Sequence, residues 1–271
     1  MRRSRGALGT IAVAVTSMAV GYFLASPARA ADASSGRDLV VRSDQRTKSR
    51  TEKTLYRMEL LDADGDVTQA RRLEVYFKRD GSVERTLQKF LSPPVIEGTG
   101  LLIEDTGAEV NDIWLYLPAT RRLRRIAGVE KSNWYMGTEL TYEDFEDYQI
   151  PYYDFALAGD EACPSGGRCT LVEATPATPS GRATSGYSKK VYWLETESLY
   201  PVRVDFYAED GHRAKELVSA GLEEVNGYWR PRTIVMRNLD TGRATRLTVE
   251  ERRVDAPLDD YHVTKRYLRS D

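Results

Sequence analysis

The 271 residues contain only two histidines and two cysteines, and that scarcity closes off most metal and nucleophile chemistry. His212 lies in the turn "EDGHR" and His262 in "DDYHVTK". Neither has a second histidine at metal-ligand spacing, and no H-E-x-x-H occurs. A G-x-S-x-G elbow and a P-loop are missing, and "EGTGLLI" supplies two glycines where a dinucleotide fingerprint needs three. "DADGD" matches a calcium loop incompletely, because its glycine comes too early and Leu73 stands where the loop needs glutamate. Charge of one sign is missing too: 39 Lys and Arg face 41 Asp and Glu. A net charge of −2 steers the chain toward no polyanion, so nucleic acid is not an expected partner. These absences leave no expected catalytic residue, no metal site and no cofactor.

The first thirty residues read as an export signal. Arg2, Arg3 and Arg5 form a positive start, Ala7 to Leu24 carry no charge, and Ala28-Arg29-Ala30 has the small-x-small form of a cleavage site. An uncleaved anchor is the competing reading, since the apolar run approaches the roughly 18 residues a spanning helix needs. Residues 1–30 are therefore expected to be a signal peptide, and 31–271 a single exported domain. No Pro/Gly/Ser linker long enough to separate a pair of cores appears. "TPATPSGRATSGYS", Thr175 to Ser188, reads equally well as a hairpin loop. In an exported chain, Cys163 and Cys169 flanking "PSGGR" are expected to form a structural disulfide across a turn.

What is abundant is alternation. Tyr56, Met58 and Leu60 share one face of a strand, and Leu73, Val75 and Phe77 share one face of the next, with "DADGD" turning between them. Further runs at 169–175, 189–194, 202–207, 217–222, 233–237 and 246–250 repeat the scheme, punctuated by "RDGS", "EDGH" and "VNGY". Helix is expected only at "GRDLVVRSDQR", around "TYEDFEDY" and near the C-terminus. So many strands must curl, because an open flat sheet would expose a whole apolar face. The fold class is mainly β with a few helices, a strongly curved antiparallel sheet of at least about nine strands over residues 37–268.

One stretch, "NDIWLYLPATRRLRRI", carries apolar side chains on both faces of a strand: Trp114 and Tyr116 on one, Ile113, Leu115 and Leu117 on the other. This implies a central strand covered on both sides. The arginines after it read as a solvated strand face, with contact to anionic head groups as the alternative. The acidic group Glu143, Asp144, Glu146 and Asp147 reads as the solvated face of a short helix capped by Thr138 or Thr141, with paired glycosidase carboxylates as the alternative.

"DIWLYLPATRRLRRIAGVEKSNWYMGTELTYEDF", residues 112–145, closely resembles the signature of the LolA-like outer-membrane lipoprotein-sorting proteins: a D-x-W-L-Y-L-P strand, an R-R-x-R-R-I strand and an M-G-[ST]-x-x-T-Y-E-D segment. "FLSPPVIEGTGLLI", "CTLVEATP" and "TKRYLRS" extend the likeness over nearly all of the exported chain, while "ACPSGGRC" departs from it by having two cysteines where one is usual. The resemblance implies a half-open β-barrel with a helical lid and an apolar cavity that carries acyl chains through the periplasm, without catalysis. It also implies an RND-type inner-membrane transporter as a partner. Each shielded CH₂ is worth roughly 0.8 kcal/mol, so enclosing a chain suffices to carry it. A non-catalytic envelope scaffold is the alternative function, and a carboxylate-dependent hydrolase a further one.

The expected cavity lining is Met58, Leu60, Val75, Phe77, Trp114, Tyr116, Trp193, Phe206 and Met236. The aromatic face of 112–117 is placed inward because a tyrosine can keep its hydroxyl at a polar mouth while its ring meets a chain. The methionines would adapt to chains of different length.

Overall fold

The structure, a computed structural model, describes residues 27–270. The expected signal lies outside the described residues except for 27–30, which begin helix α1 (Pro27–Thr47). Strands β1 (Thr51–Leu61), β2 (Val67–Asp80), β3 (Val83–Ser92), β4 (Gly100–Asp105), β5 (Asp112–Leu117) and β6 (Arg122–Ile126) follow as a meander. A long connection leads to β7 (Tyr153–Ala162) and β8 (Arg168–Pro176), then to a short helix α2 (Pro179–Thr184). Next come β9 (Lys189–Glu195), β10 (Pro201–Tyr207), β11 (Arg213–Ala220), the small hairpin β12 (Glu223–Val225) and β13 (Tyr228–Arg230), β14 (Thr233–Asn238) and β15 (Ala244–Val254). Helix α3 (Lys265–Leu268) closes the described chain.

Thirteen strands form one antiparallel sheet in the order β6-β5-β4-β3-β2-β1-β15-β14-β11-β10-β9-β8-β7. The two meanders are joined through the β1–β15 pair, whose members lie far apart in sequence. The sheet curls without closing, and its two free edges, β6 and β7, are consecutive in the chain. Their connection, residues 127–152, therefore has to cross the open side.

The turn chemistry is local. Asp62 Oδ1 accepts from the backbone N–H of Asp64 at 3.1 Å and of Asp66 at 2.9 Å, an Asx turn that sends β1 back as β2. Register then fixes the faces. Tyr56 pairs with Leu73 and Thr54 with Val75; Leu73 pairs with Phe90, Leu101 with Leu115, and Ile113 with Ile126, so all of these share the concave face. On that face Met58, Leu73, Phe90, Leu101, Ile113 and Ile126 are all at most 2% exposed and form the main core.

The convex face of this half is not bare. Tyr76, Leu87, Leu102 and Tyr116 pack under Val263 and Leu268 of the C-terminal segment. Gly100 makes this possible: a Cβ there would lie 2.6 Å from Leu268 Cδ1 and 2.8 Å from the Gln88 carbonyl oxygen. Thus β5 has apolar residues on both faces because the crossing connection covers one and the C-terminus the other. It lies next to the edge strand rather than at the sheet centre, which corrects the sequence expectation: double cover does not require a central position.

Candidate functional site

The concave side is filled in its middle and hollow toward one end. The filling is the β6–β7 connection. Tyr135, fully buried, stacks on Phe90 at 5.9 Å between ring centroids and takes Tyr142 and Phe145 edge-on. Leu140 enters beside Phe206 and Met236. Burying each such side chain contributes roughly 1.5–3 kcal/mol, so the connection acts as a plug held by its own core.

Of its acidic group only Asp147 is exposed; Glu143, Asp144 and Glu146 do not face solvent. Thr141 caps the 3-10 turn Tyr142–Phe145 in a capping box with Asp144. Glu143 lies 3.3 Å from Lys190, Asp144 2.5 Å from Lys215, and Glu146 2.6 Å from Lys131, all six side chains being at most 9% exposed. This corrects both sequence readings, the solvated face and the free carboxylate pair: three buried ion pairs lock the plug in place. Burial would raise the Asp144 carboxyl, but the Lys215 ammonium, the Thr141 N–H and the Tyr187 hydroxyl together hold it below the usual range. Glu146 is moved the other way, with burial outweighing Lys131 and raising it.

Beyond the plug lies a cavity of about 430 Å³, within the usual span for small-molecule sites. The end of α1 and residues 144–148 roof it; β1, β2, β9, β10, β11, β14 and β15 form its floor. Gly36 lets α1 sit close, since a Cβ there would meet the Ala156 backbone at 3.0 Å. Phe77, Phe145, Val204, Phe206, Leu217 and Ile234 give apolar wall. Four tyrosines, Tyr56, Tyr148, Tyr192 and Tyr200, add rings and hydroxyls. Burial pushes the Tyr192 and Tyr200 phenols up to about 12, so both stay neutral donors.

Charge gathers in two clusters on the wall. At one, Lys48 bridges Asp44 (2.9 Å), Glu84 (2.7 Å) and Asp147 (3.4 Å), tying α1 to β3 and the plug. At the other, Arg230 and Arg252 share the single carboxylate of Glu52, at 2.8 and 3.0 Å.

Of the nine residues expected to line a cavity, Phe77 and Phe206 do so. Met58, Leu60, Val75 and Met236 share the concave face but are packed in core clusters, Met58, Leu60 and Val75 with the plug's Tyr135 and Tyr142 and Met236 with its Leu140. Trp114, Tyr116 and Trp193 are on the convex face, a correction to the inward placement of the aromatic set. Trp114 and Tyr116 pack against the C-terminal segment. Trp193 donates through Nε1 to Asp205 Oδ2 at 3.1 Å beneath Arg203. Alternation separates the two faces of a strand but does not say which is concave. The tyrosines and arginines of the cavity gave no sequence signal beyond the abundance of tyrosine, 16 in the chain.

Cys163 and Cys169 are bonded, stapling the β7–β8 turn. Among the described residues no group of His, Cys, Asp and Glu is placed to hold a metal ion, and no helix is long and apolar enough to cross a membrane.

A family model described as "-like: Uncharacterized protein" matches residues 82–270. No curated relative matches the chain. Among solved structures, an outer membrane lipoprotein-sorting protein domain from Vibrio parahaemolyticus is 29% identical, covering 88% of this chain and 100% of its own, with a TM-score of 0.80. A DUF1329 family protein from Desulfovibrio piger is 28% identical over 88% of this chain and 99% of its own, with a TM-score of 0.80. A LolA superfamily protein from Nitrosomonas europaea, 16% identical over 86% of this chain and 98% of its own, shares the fold at a TM-score of 0.65.

Proposed function

The chain belongs to the LolA-like family of outer-membrane lipoprotein-sorting proteins, and on that premise we propose that it is a periplasmic carrier whose cavity shelters an acyl chain of a lipid or lipoprotein on its way toward the outer membrane. Residues 1–30 are removed on export and 31–271 act as one carrier domain, receiving or passing cargo at an RND-type inner-membrane transporter. The observation that carries the reading is the roofed cavity of about 430 Å³ with Phe77, Val204, Phe206, Leu217 and Ile234 on its wall. A packed scaffold has no use for such a hollow beneath a helix. Binding without conversion needs no nucleophile, and the plug's carboxylates on the cavity wall, Asp144, Glu146 and Asp147, are already engaged by lysines.

Leu217 is half-buried on the cavity wall, so it can be changed without emptying the core. Titrating the delipidated protein with a fluorescent acyl-chain probe should give saturable uptake. Leu217→Asp, which places a charge on the wall, and Leu217→Trp, which fills the hollow, should each weaken it at least about tenfold. Undiminished uptake by both variants, folded by circular dichroism, would refute the cavity as the carrier site.

A further inference from the structure

Two clusters on the cavity wall carry a surplus of opposite charge. Around Lys48 three carboxylates face one ammonium. In the plug, Glu143, Asp144 and Glu146 each have one lysine. In the second cluster two guanidiniums face one carboxylate: Arg252 is 4% exposed, Arg230 10% and Glu52 15%. A surplus positive charge so far removed from water is costly unless an anion compensates it.

The arginines are also held rigidly. Arg230 donates to the Thr47 carbonyl at 2.6 Å and to Glu52 at 2.8 Å; Arg252 donates to the Pro231 carbonyl at 2.8 Å and to the Tyr56 hydroxyl at 3.2 Å. The Tyr56 oxygen thereby serves as acceptor, and its own proton has no protein acceptor among the described residues. Tyr200 and Ser219 line the same cavity. The result is a preorganised donor and positive field beside the apolar side chains of Val204, Leu217 and Ile234.

We propose that this arginine cluster is a head-group site for a single anionic group, a carboxylate or a phosphate monoester, on an amphiphile whose tail runs along Val204 and Leu217 toward Phe206. The assignment rests on the carrier reading and narrows its cargo: a neutral or cationic head gains nothing there. Tyr56 donates its hydroxyl proton to the anion, and Arg230 and Arg252 supply the field without giving up their protein partners. Glu52 limits the surplus to one charge.

The test uses the delipidated protein and four chains of equal length: hexadecanoate, hexadecyl phosphate, hexadecanol and hexadecyltrimethylammonium, each competed against a fluorescent acyl probe. One or both anions should bind about tenfold or more tightly than the alcohol, as expected for a charged hydrogen bond. The two anions compared tell a carboxylate from a phosphate source. Tyr56→Phe should lose most of that preference, and Glu52→Gln, which enlarges the positive surplus, should increase it. Equal affinity for anions and alcohol in the wild type overturns the head-group site and leaves the carrier reading standing. An anion preference untouched by both folded variants also overturns it. Failure of all four chains to bind overturns the carrier reading itself.

Discussion

At the scale of single residues, Trp114 is the sharpest case. Its alternation with Leu115 was legible in the sequence, and so was the need to cover both faces. Which cover falls on which face was not, because Val263 and Leu268, which lie over the Trp114 side of the sheet, come from the far end of the chain. Lys265 Nζ lies 3.9 Å from the Trp114 ring centroid, a pairing with no local trace. Trp114→Asp is therefore expected to cost stability, about 2 kcal/mol for a half-buried aromatic, while the folded fraction still takes up acyl probe with wild-type affinity. Urea unfolding and probe titration of the same sample check both halves. Abolished uptake by a folded Trp114→Asp protein would return this face to the cavity.

At the scale of elements, the β6–β7 connection decides what the concave side can hold. The segment "TYEDFEDY" was readable as a capped short helical turn, and Thr141 with Asp144 bears that out. Its burial was not readable, because the lysines that neutralise it, Lys190 and Lys215, lie on β9 and β11, distant in sequence. Asp144 titrates lower in the folded chain than in the unfolded one. Its contribution to stability is therefore present above the ordinary aspartate range near 3.9 and is lost as pH falls through the lower folded value. Glu146, raised by burial, acts in the opposite direction and removes stability as pH rises through its own range. Asp144→Asn should be clearly less stable than the wild type at about pH 7, with the gap narrowing as pH falls below the ordinary aspartate range. Thermal unfolding across that range checks it, and a gap independent of pH would mean that the Lys215 pair is not what Asp144 supplies.

At the scale of the whole molecule, the curved antiparallel sheet followed from the count of alternating runs, since so many twisted strands cannot lie flat. What the runs did not specify is the closure: the β1–β15 pair joins two meanders through residues nearly the whole chain apart, and the same topology leaves β6 and β7 as free edges for the plug to span. The cavity is what remains when that plug fills the middle and α1 roofs one end. Its most direct test is native mass spectrometry of the protein isolated from the periplasm without delipidation. A bound amphiphile in about one-to-one stoichiometry, displaced by added hexadecanoate and reduced in Leu217→Trp, is the predicted result. A bare polypeptide mass that stays bare after incubation with every acyl chain offered would contradict the carrier.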